Sequence, residues 1–261
     1  TVEEIGKNST KFKVGDKVVI VAQPIGVKSQ GGLSEYIKVP SEWVEKLPSG
    51  MSLKNAMIFG TAGFTAMHAV IKLLQNGLKK NSRPVLVSGA TGGVGTFSVL
   101  ILSKLGFNVC ASTRRRNQEA YLKKIGVSEI IFNDNFNNQP NMPLLKVKYS
   151  AIIDNIGGEI ISLGSRQLVE GGSIASIGAT SSEVCNLNLM PFILRGVKII
   201  GINAESSSDA LRKIIWRKIS KIATQKIVKK IYKECNLTNV IKEIQEAKKN
   251  NSVGRVIVKI D

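Results

Sequence analysis

Residues 88–98 read SGATGGVGTFS, behind the apolar run RPVLV and ahead of VLILSKLGF. Glycines at 92 and 95, with Ala90 at the leading position and Gly89 and Gly93 beside them, are the residue types a phosphate cradle needs. One such position makes a tight turn, a second lets backbone N–H groups approach a pyrophosphate, and a third lets a helix pack closely on a strand. A helix starting near Val94 would turn its positive end toward the phosphates. Placed between a strand and a helix, the pattern reads as dinucleotide-binding rather than as a merely structural turn. Other phosphate motifs fail on residue type. No Lys follows the glycines as a Walker loop requires. The Tyr-x-x-x-Lys pair of short-chain dehydrogenases is also missing, because Pro40, Ile125, Ile153 and Asn236 stand four residues after the four tyrosines.

The choice of dinucleotide is made about 20 residues further on, where a carboxylate would hold the ribose 2′-hydroxyl of NAD. The sequence there is ASTRRRNQ. Ser112, Thr113, Arg114, Arg115 and Arg116 offer hydroxyl and guanidinium donors and no carboxylate. A guanidinium fork matches phosphate geometry, so the run favours the 2′-phosphate of NADP. Three arginines placed there only as a solvated helix start would oppose the helix macrodipole.

Little else in the chain could do chemistry. A zinc site takes three or four Cys, His or carboxylate ligands, some closely spaced. Here the only histidine is His68, and Cys110, Cys185 and Cys235 are scattered. No metal site is expected, and His68 reads as an ordinary helical residue. Three distant cysteines fit a reducing compartment, and TVEEIGKNST has neither a basic nor an apolar leader region, so a cytoplasmic protein is expected. The chain opens without Met and mid-pattern, as a fragment of a longer protein would. Hydrophobic content of 43% and charged content of 21% are those of a soluble globular chain. No unbroken apolar stretch reaches the roughly 18 residues of a membrane span, and no membrane partner is expected.

The formal charge is +18, and residues 211–250 carry a net +9 of it, from 12 Lys or Arg against 3 Asp or Glu. In LRKIIWRKISKIATQKIVKKIY the cations alternate with Ile and Val at helical spacing, which predicts an amphipathic helix with a solvated basic face. Trp216 and Tyr232 are isolated and make no base-stacking platform, so nucleic acid is not an expected partner.

These groups must be held by a scaffold, and its rhythm is legible. KFKVGDKVVIVAQ to GGLSEYIKVPSEWVEKLP is β-rich, with turns at Gly15-Asp16, Gly31-Gly32 and Pro48. SLKNAMIFGTAGFTAMHAVIKLLQNG then turns helical and exits at Gly77. From there apolar β-branched runs recur at PVLVS, NVCAS, EIIF, AIIDN, SIASIG and VKIIGIN, with helices or loops between them. Strands alternating with helices predict right-handed crossovers and a doubly wound parallel sheet, an α/β Rossmann-type fold. NLTNVIKEIQEAKKN reads as a late helix and GRVIVKI as a closing strand. The expected division is 1–53, 54–227 and 228–261, with the last segment returning to the first.

GGLSEY, AMIFGTAGFTAM, SGATGGVG, LMPFILRGVKIIG and GRVIVKI, in this order, resemble the zinc-independent medium-chain dehydrogenase/reductase superfamily. More narrowly they resemble its acrylyl-CoA reductase group, often labelled quinone oxidoreductase. The resemblance spans essentially the whole chain and implies a GroES-like β domain, incomplete at its N-terminus here, flanking a Rossmann domain. It also implies NADPH, a homodimer, and hydride addition to the β-carbon of an enoyl thioester such as acrylyl-CoA, giving propanoyl-CoA. Carried over by position, Thr91, Gly92, Gly93 and Val94 would meet the pyrophosphate, and Thr113 and Arg115, with Arg114 beside them, the 2′-phosphate. Thr65 would lie near the nicotinamide, and Asn155, Gly178 and Ile199 would line the cofactor. Members of the family begin with a further segment, containing an Asn-Tyr-Lys-Asp-like stretch that faces nicotinamide and substrate, and this chain starts after it. No catalytic residue is assigned. The alternatives to acrylyl-CoA reduction are an NADPH-dependent quinone or enone reductase and, less favoured, a non-catalytic NADPH-sensing or RNA-binding protein.

Overall fold

The computed structural model describes every residue except Asn8, Asn81, Ser82, Asn250, Asn251 and Asp261, together with all side chains of the described residues but those of Asn135, Asn137, Gln225 and Lys226. Two short strands, β1 (Val18–Val19) and β2 (Glu45–Lys46), pair antiparallel in the N-terminal region. The long helix α1 (Leu53–Gln75) follows, interrupted at Gly60. The predicted beat then appears as β3 (Val85–Ser88), α2 (Gly93–Lys104), β4 (Val109–Thr113), α3 (Glu119–Ile125), β5 (Glu129–Phe132) and α4 (Asn133–Asn137). It continues with β6 (Tyr149–Asp154), α5 (Glu159–Ser165), β7 (Leu168–Ser176), α6 (Met190–Arg195) and β8 (Lys198–Gly201). The chain closes with α7 (Asp209–Ile222), α8 (Gln225–Val228), β9 (Tyr232–Asn236), α9 (Val240–Lys248) and β10 (Arg255–Lys259).

Strands β3 to β8 form one parallel sheet in the order β5-β4-β3-β6-β7-β8. This is the expected Rossmann-type fold. Its strands read as apolar runs because helices cover a parallel sheet on both faces; β3 and β6 are buried along their whole length. Helix α2 is buried from Gly95 to Leu102 and packs behind β3. The register aligns the carboxyl ends of the strands: Ser88 stands opposite Ser112, Asp154 opposite Ser176, and Ser176 opposite Gly201.

The contacts divide the chain into two compact units, Thr1–Phe64 with Ala204–Asp261, and Thr65–Asn203. Both boundaries differ from the expected 53/54 and 227/228, and α7 falls with the first unit rather than with the sheet. The reason is the side of α7 that is not solvated. Arg212 is 3% exposed. Its Nε and Nη2 donate to Glu45 Oε1 at 2.8 and 2.7 Å, Nη2 also donates to the Val21 carbonyl at 2.6 Å, and Nη1 donates to the Ala204 carbonyl at 3.2 Å. The guanidinium lies 4.7 Å from the Phe64 ring centre, and Phe64 in turn meets Trp216 at 6.1 Å. One cation of the basic run is therefore an interior anchor. The predicted single helix over 211–232 also ends early, at Ile222, and Tyr232 begins β9, a strand missing from the sequence-based expectation; β9 pairs in parallel with β10. Asn250, at the end of the predicted late helix, lies outside the described residues.

Helix α1 is long and apolar enough to cross a membrane by length and composition, but 78% of its most apolar window is buried inside the protein. His68 sits on it at 4% exposure, and burial, helped by the Lys72 charge, lowers its pKa.

Burial lifts the Glu45 carboxyl above its ordinary range, and the charge and hydrogen bonds of Arg212 oppose that rise. Removing one partner of such a pair strands the other. Glu45→Ala should destabilise the chain by about 3–5 kcal/mol, and adding Arg212→Met should recover most of it. Chemical denaturation followed by tryptophan fluorescence measures both, and a Glu45→Ala chain as stable as the parent would contradict the pairing.

Candidate dinucleotide-binding site

The site begins where the chain leaves β3. The Gly92 N–H donates to the Gly89 carbonyl at 2.9 Å, closing a tight turn, and the Ala90 N–H reaches the Ser112 carbonyl of β4 at 3.4 Å. Gly92 caps α2, and the Thr96 N–H donates back to its carbonyl at 2.9 Å. The N–H groups of Gly93, Val94 and Gly95 therefore precede the first intrahelical bond and face out of the helix start. Gly95 makes the close packing possible: a Cβ there would lie 2.7 Å from the Ala90 Cα and closer still to the Gly89 carbonyl oxygen. Thr91 is buried at 4%, whereas Gly92 is exposed and Gly93 and Val94 are half-buried.

At the end of β4, Thr113 is 4% exposed and its Oγ1 accepts the Arg115 N–H at 3.0 Å, which fixes the turn that follows. Arg114 is exposed and Arg115 half-buried. Burial, and then the like charge of Arg114, lowers the Arg115 pKa, so an anion placed here would relieve both. Arg116 is occupied elsewhere: its guanidinium stacks 4.3 Å from the Phe132 ring and reaches Asp134 at 3.4 Å.

Asn155 follows β6 in a junction whose other members, Ser88 and Asp154, carry no site assignment in the sequence reading. Ser88 Oγ donates to Asp154 Oδ1 at 2.6 Å and accepts the Asn155 N–H at 2.8 Å, while Asn155 Nδ2 donates to the Ser88 carbonyl at 2.7 Å. Asp154, fully buried, also accepts the N–H groups of Ile156 at 3.2 Å and Gly157 at 2.9 Å. Burial raises its pKa and these donors oppose the rise. The available signal is the carboxylate ending the run AIID, since a buried acid must gather donors. Asn155 Oδ1 is a buried acceptor without a partner among the described residues. Gly178 stands directly across, where a Cβ would lie 2.7 Å from the Asn155 carbonyl oxygen.

Thr91–Val94, Thr113–Arg115, Asn155 and Gly178 thus gather at the carboxyl ends of β3, β4, β6 and β7. Ile199 does not. It pairs with Ile174 in the middle of β7, on the edge strand β8, at 39% exposure, and its apolar side chain at mid-strand is two residues short of the strand end. Thr65 lies on α1, buried at 6%. A cavity of about 280 Å³ opens at the opposite end of the sheet, beside Ser150 and Ser173, away from all of these.

Helix-start N–H groups, a cradle that a Cβ would fill, an arginine pair beside a buried threonine and an orphaned amide oxygen together fit a phosphate-bearing dinucleotide at the point where the sheet order reverses. The comparisons agree. Residues 93–221 match the family model described as zinc-binding dehydrogenase. YhfP of Bacillus subtilis, provisionally named a quinone oxidoreductase, is 37% identical over 98% of this chain and 78% of its own. The acrylyl-CoA reductase AcuI of Ruegeria pomeroyi is 33% identical over 96% and 76%. The yhdH oxidoreductase of Salmonella enterica, solved in complex with NADP, superposes with a TM-score of 0.93 at 33% identity, covering 97% of this chain and 78% of that one. The chain belongs to the zinc-independent medium-chain dehydrogenase/reductase family, in its acrylyl-CoA reductase and quinone oxidoreductase group.

As a medium-chain dehydrogenase/reductase, the chain is an oxidoreductase. Among its described residues no group of three or more His, Cys, Asp or Glu is placed to hold a metal ion.

For this reductase, the packing at Gly95 predicts that Gly95→Ala forces the loop off the helix start. Overpacking of this kind costs about 1–3 kcal/mol, so the melting temperature should fall and affinity for a dinucleotide should fall with it. Differential scanning fluorimetry and fluorescence titration read the two effects; undiminished nucleotide affinity would show that the loop is not the cradle.

Proposed function

We propose that this chain uses NADPH to reduce the β-carbon of an α,β-unsaturated coenzyme A thioester such as acrylyl-CoA. The cofactor half of the reading is carried by the end of β4, where Thr113, Arg114 and Arg115 stand and no carboxylate does. It draws support from the yhdH structure, which holds NADP. The Bacillus YhfP structure holds NAD instead, at 38% identity and a TM-score of 0.92, so the preference for a 2′-phosphate rests on this chain's own arginines. The substrate half draws support from the acrylyl-CoA reductase AcuI. The quinone or enone alternative draws on the YhfP name.

In this reading, bound NADPH supplies the hydride. The chain's residues bind and orient. The N–H groups of Gly93, Val94 and Gly95 hold the pyrophosphate, and Thr113 and Arg115 hold the 2′-phosphate, with Arg114 adding charge. Asn155, tied to Ser88 on one side and facing Gly178 on the other, fixes the nicotinamide end, toward which Thr65 is assigned. The unit Thr65–Asn203 is the cofactor domain, and the other unit carries the substrate side. The net charge of +18 attracts the phosphates of coenzyme A, with a reach of about 8 Å at physiological salt. RNA binding finds less support, because Trp216 is 1% exposed and offers no face to a base.

The working form in this proposal is a homodimer in the cytoplasm. Strand β8 is an edge of the sheet, and Ile199 on it follows closely in the chain after Leu189, Ile193 and Leu194, which are 65%, 66% and 61% exposed. An apolar edge of this kind is ordinarily covered. Ile199 is therefore reassigned from the cofactor to this interface.

Two measurements test the reading. Arg115→Ala should weaken NADPH binding by roughly 10- to 100-fold, the loss of about 1.5–3 kcal/mol for a hydrogen bond to a charged group, and leave NADH binding nearly unchanged. Equal loss for both nucleotides would remove the 2′-phosphate role. Turnover of acrylyl-CoA, followed by NADPH absorbance, should exceed turnover of a simple quinone. A quinone turned over faster than acrylyl-CoA would transfer the assignment to quinone reduction.

A further inference from the structure

The charge of the sheet-bearing unit, Thr65–Asn203, is sorted by end. Its nine lysines all stand where helices finish and strands begin. Lys72 is in the last turn of α1, and Lys79 and Lys80 follow the exit of that helix. Lys104 ends α2, Lys123 and Lys124 are in the last turn of α3, Lys146 and Lys148 lead into β6, and Lys198 opens β8. All but Lys72 are exposed. Of the unit's seven acids only Glu129 and Glu170 share this end. Glu119, Asp134, Asp154, Glu159 and Glu183 stand toward the carboxyl ends of the strands, where the cofactor crevice lies and no lysine does.

The fold brings these strand starts together. Lys79 lines the cavity that also borders Ser150 and Gly171, near the starts of β6 and β7. A Cβ on Gly106, in the turn into β4, would lie 3.2 Å from Lys80 Nζ. The Lys148 N–H donates at 2.8 Å to the Gln167 carbonyl, just ahead of β7. Cations suit the last turn of a helix, whose carbonyls carry partial negative charge, and that accounts for Lys72, Lys104, Lys123 and Lys124. It does not account for Lys79, Lys80, Lys146, Lys148 and Lys198, which lie outside helices and make no ion pair among the described residues. The neighbouring arginines are employed differently: Arg166 and Arg195 donate to the carbonyls of Met142, Arg166, Leu168 and Leu145.

The form of the patch selects its partner. Strands lie about 4.8 Å apart, so a six-stranded sheet spreads such charges across roughly 24 Å, a broad face and not a track. A nucleic-acid strand is held by stacked aromatic rings and arginine forks. Here Tyr149 is 1% exposed, Phe107 is half-buried, and Arg166 and Arg195 are engaged with carbonyls. Lysine is a point charge on a flexible stem, suited to a diffuse anionic plane. Leu74 and Met142, both exposed at this end, are single apolar side chains that an interfacial lipid layer can accept. We propose that this face docks on an anionic lipid bilayer, with its lysines against the headgroup phosphates and the cofactor crevice, at the opposite end of the sheet, directed away. Attachment of this kind is electrostatic and needs no spanning helix.

Co-sedimentation of the full chain with vesicles tests the proposal. The parent should bind vesicles of equal parts phosphatidylcholine and phosphatidylglycerol and not those of phosphatidylcholine alone. Binding should fall as salt is raised, because screening already confines the field to about 8 Å at physiological ionic strength. Lys79→Gln, Lys80→Gln, Lys146→Gln and Lys148→Gln combined should weaken binding by about 100-fold or more, at about 5-fold for each lysine near the surface. The same four positions changed to Arg should keep it. Lys213→Gln, Lys218→Gln, Lys221→Gln and Lys229→Gln remove equal charge from exposed positions on and after α7, and should weaken binding by less than about 5-fold, the share of one surface lysine. NADPH affinity and melting temperature should match the parent in every variant. No binding to the mixed vesicles by the parent, equal weakening in the two Gln variants, loss in the Arg variant, or lowered NADPH affinity in the first Gln variant would each overturn the proposal. Tighter binding to oligouridylate than to the mixed vesicles, lost with the same four lysines, would overturn it in favour of nucleic acid.

Discussion

The hydroxyl of Ser88 ties the end of β3 to the end of β6 and the loop that follows it, where the order of the sheet reverses. Strands β3 and β6 are neighbours in space, yet the chain leaves them in opposite senses, toward β4 on one side and β7 on the other. The loops that follow diverge, and divergence makes a crevice. Ser88 Oγ provides the tie by donating to Asp154 and accepting from the Asn155 backbone. Asp154 passes the constraint on to Ile156 and Gly157. The Asp154 and Ile156 carbonyls then accept from Ile177 at 2.8 Å and Ser181 at 2.7 Å, which draws in the loop after β7. These hydrogen-bonded residues fix the floor on which a dinucleotide would lie, and none of them needs to touch the reacting atoms.

The glycine turn depends on that floor. Its helix can approach β3 only because Gly95 has no side chain, and the approach aims three N–H groups at the crevice rather than past it. On the neighbouring strand β4, Thr113 has the corresponding role. Its hydroxyl oxygen accepts the Arg115 N–H, which shapes the turn that presents the arginines while the O–H stays able to donate. Arg116 is turned toward Phe132 and Asp134, so it does not stand with Arg114 and Arg115 in the proposed phosphate site. Proximity in sequence overstates the cluster; the aromatic neighbour decides its membership.

How much of this is legible in the sequence follows from the range of each interaction. The sheet can be read because its strands are apolar runs, a local property. The cradle can be read because its glycines, strand and helix are contiguous. Arg212 cannot: on a run of Lys and Arg alternating with Ile it has the same local surroundings as Lys213 or Arg217, and only Glu45, 167 positions earlier, distinguishes it. The early end of α7 and the strand β9 are hidden for a related reason. YKECN has no apolar alternation of its own, and it becomes a strand because β10 lies beside it. The unit boundaries move with α7, since a helix belongs where its buried side chains pack and not where the rhythm of the preceding strands would place it. Ile199 goes to the cofactor by family position alone, whereas the register puts it mid-strand on the edge of the sheet.

Arg212 makes the same point from the side of packing. Burying a guanidinium is expensive, and here the chain meets that cost with its own groups. Glu45, Val21, Ala204 and Phe64, widely separated in sequence, converge on one side chain. Each partner is ordinary in its own stretch of sequence, and only their convergence turns one cation of a solvated run into an interior anchor, so the unit it belongs to is decided by long-range contacts and not by local rhythm.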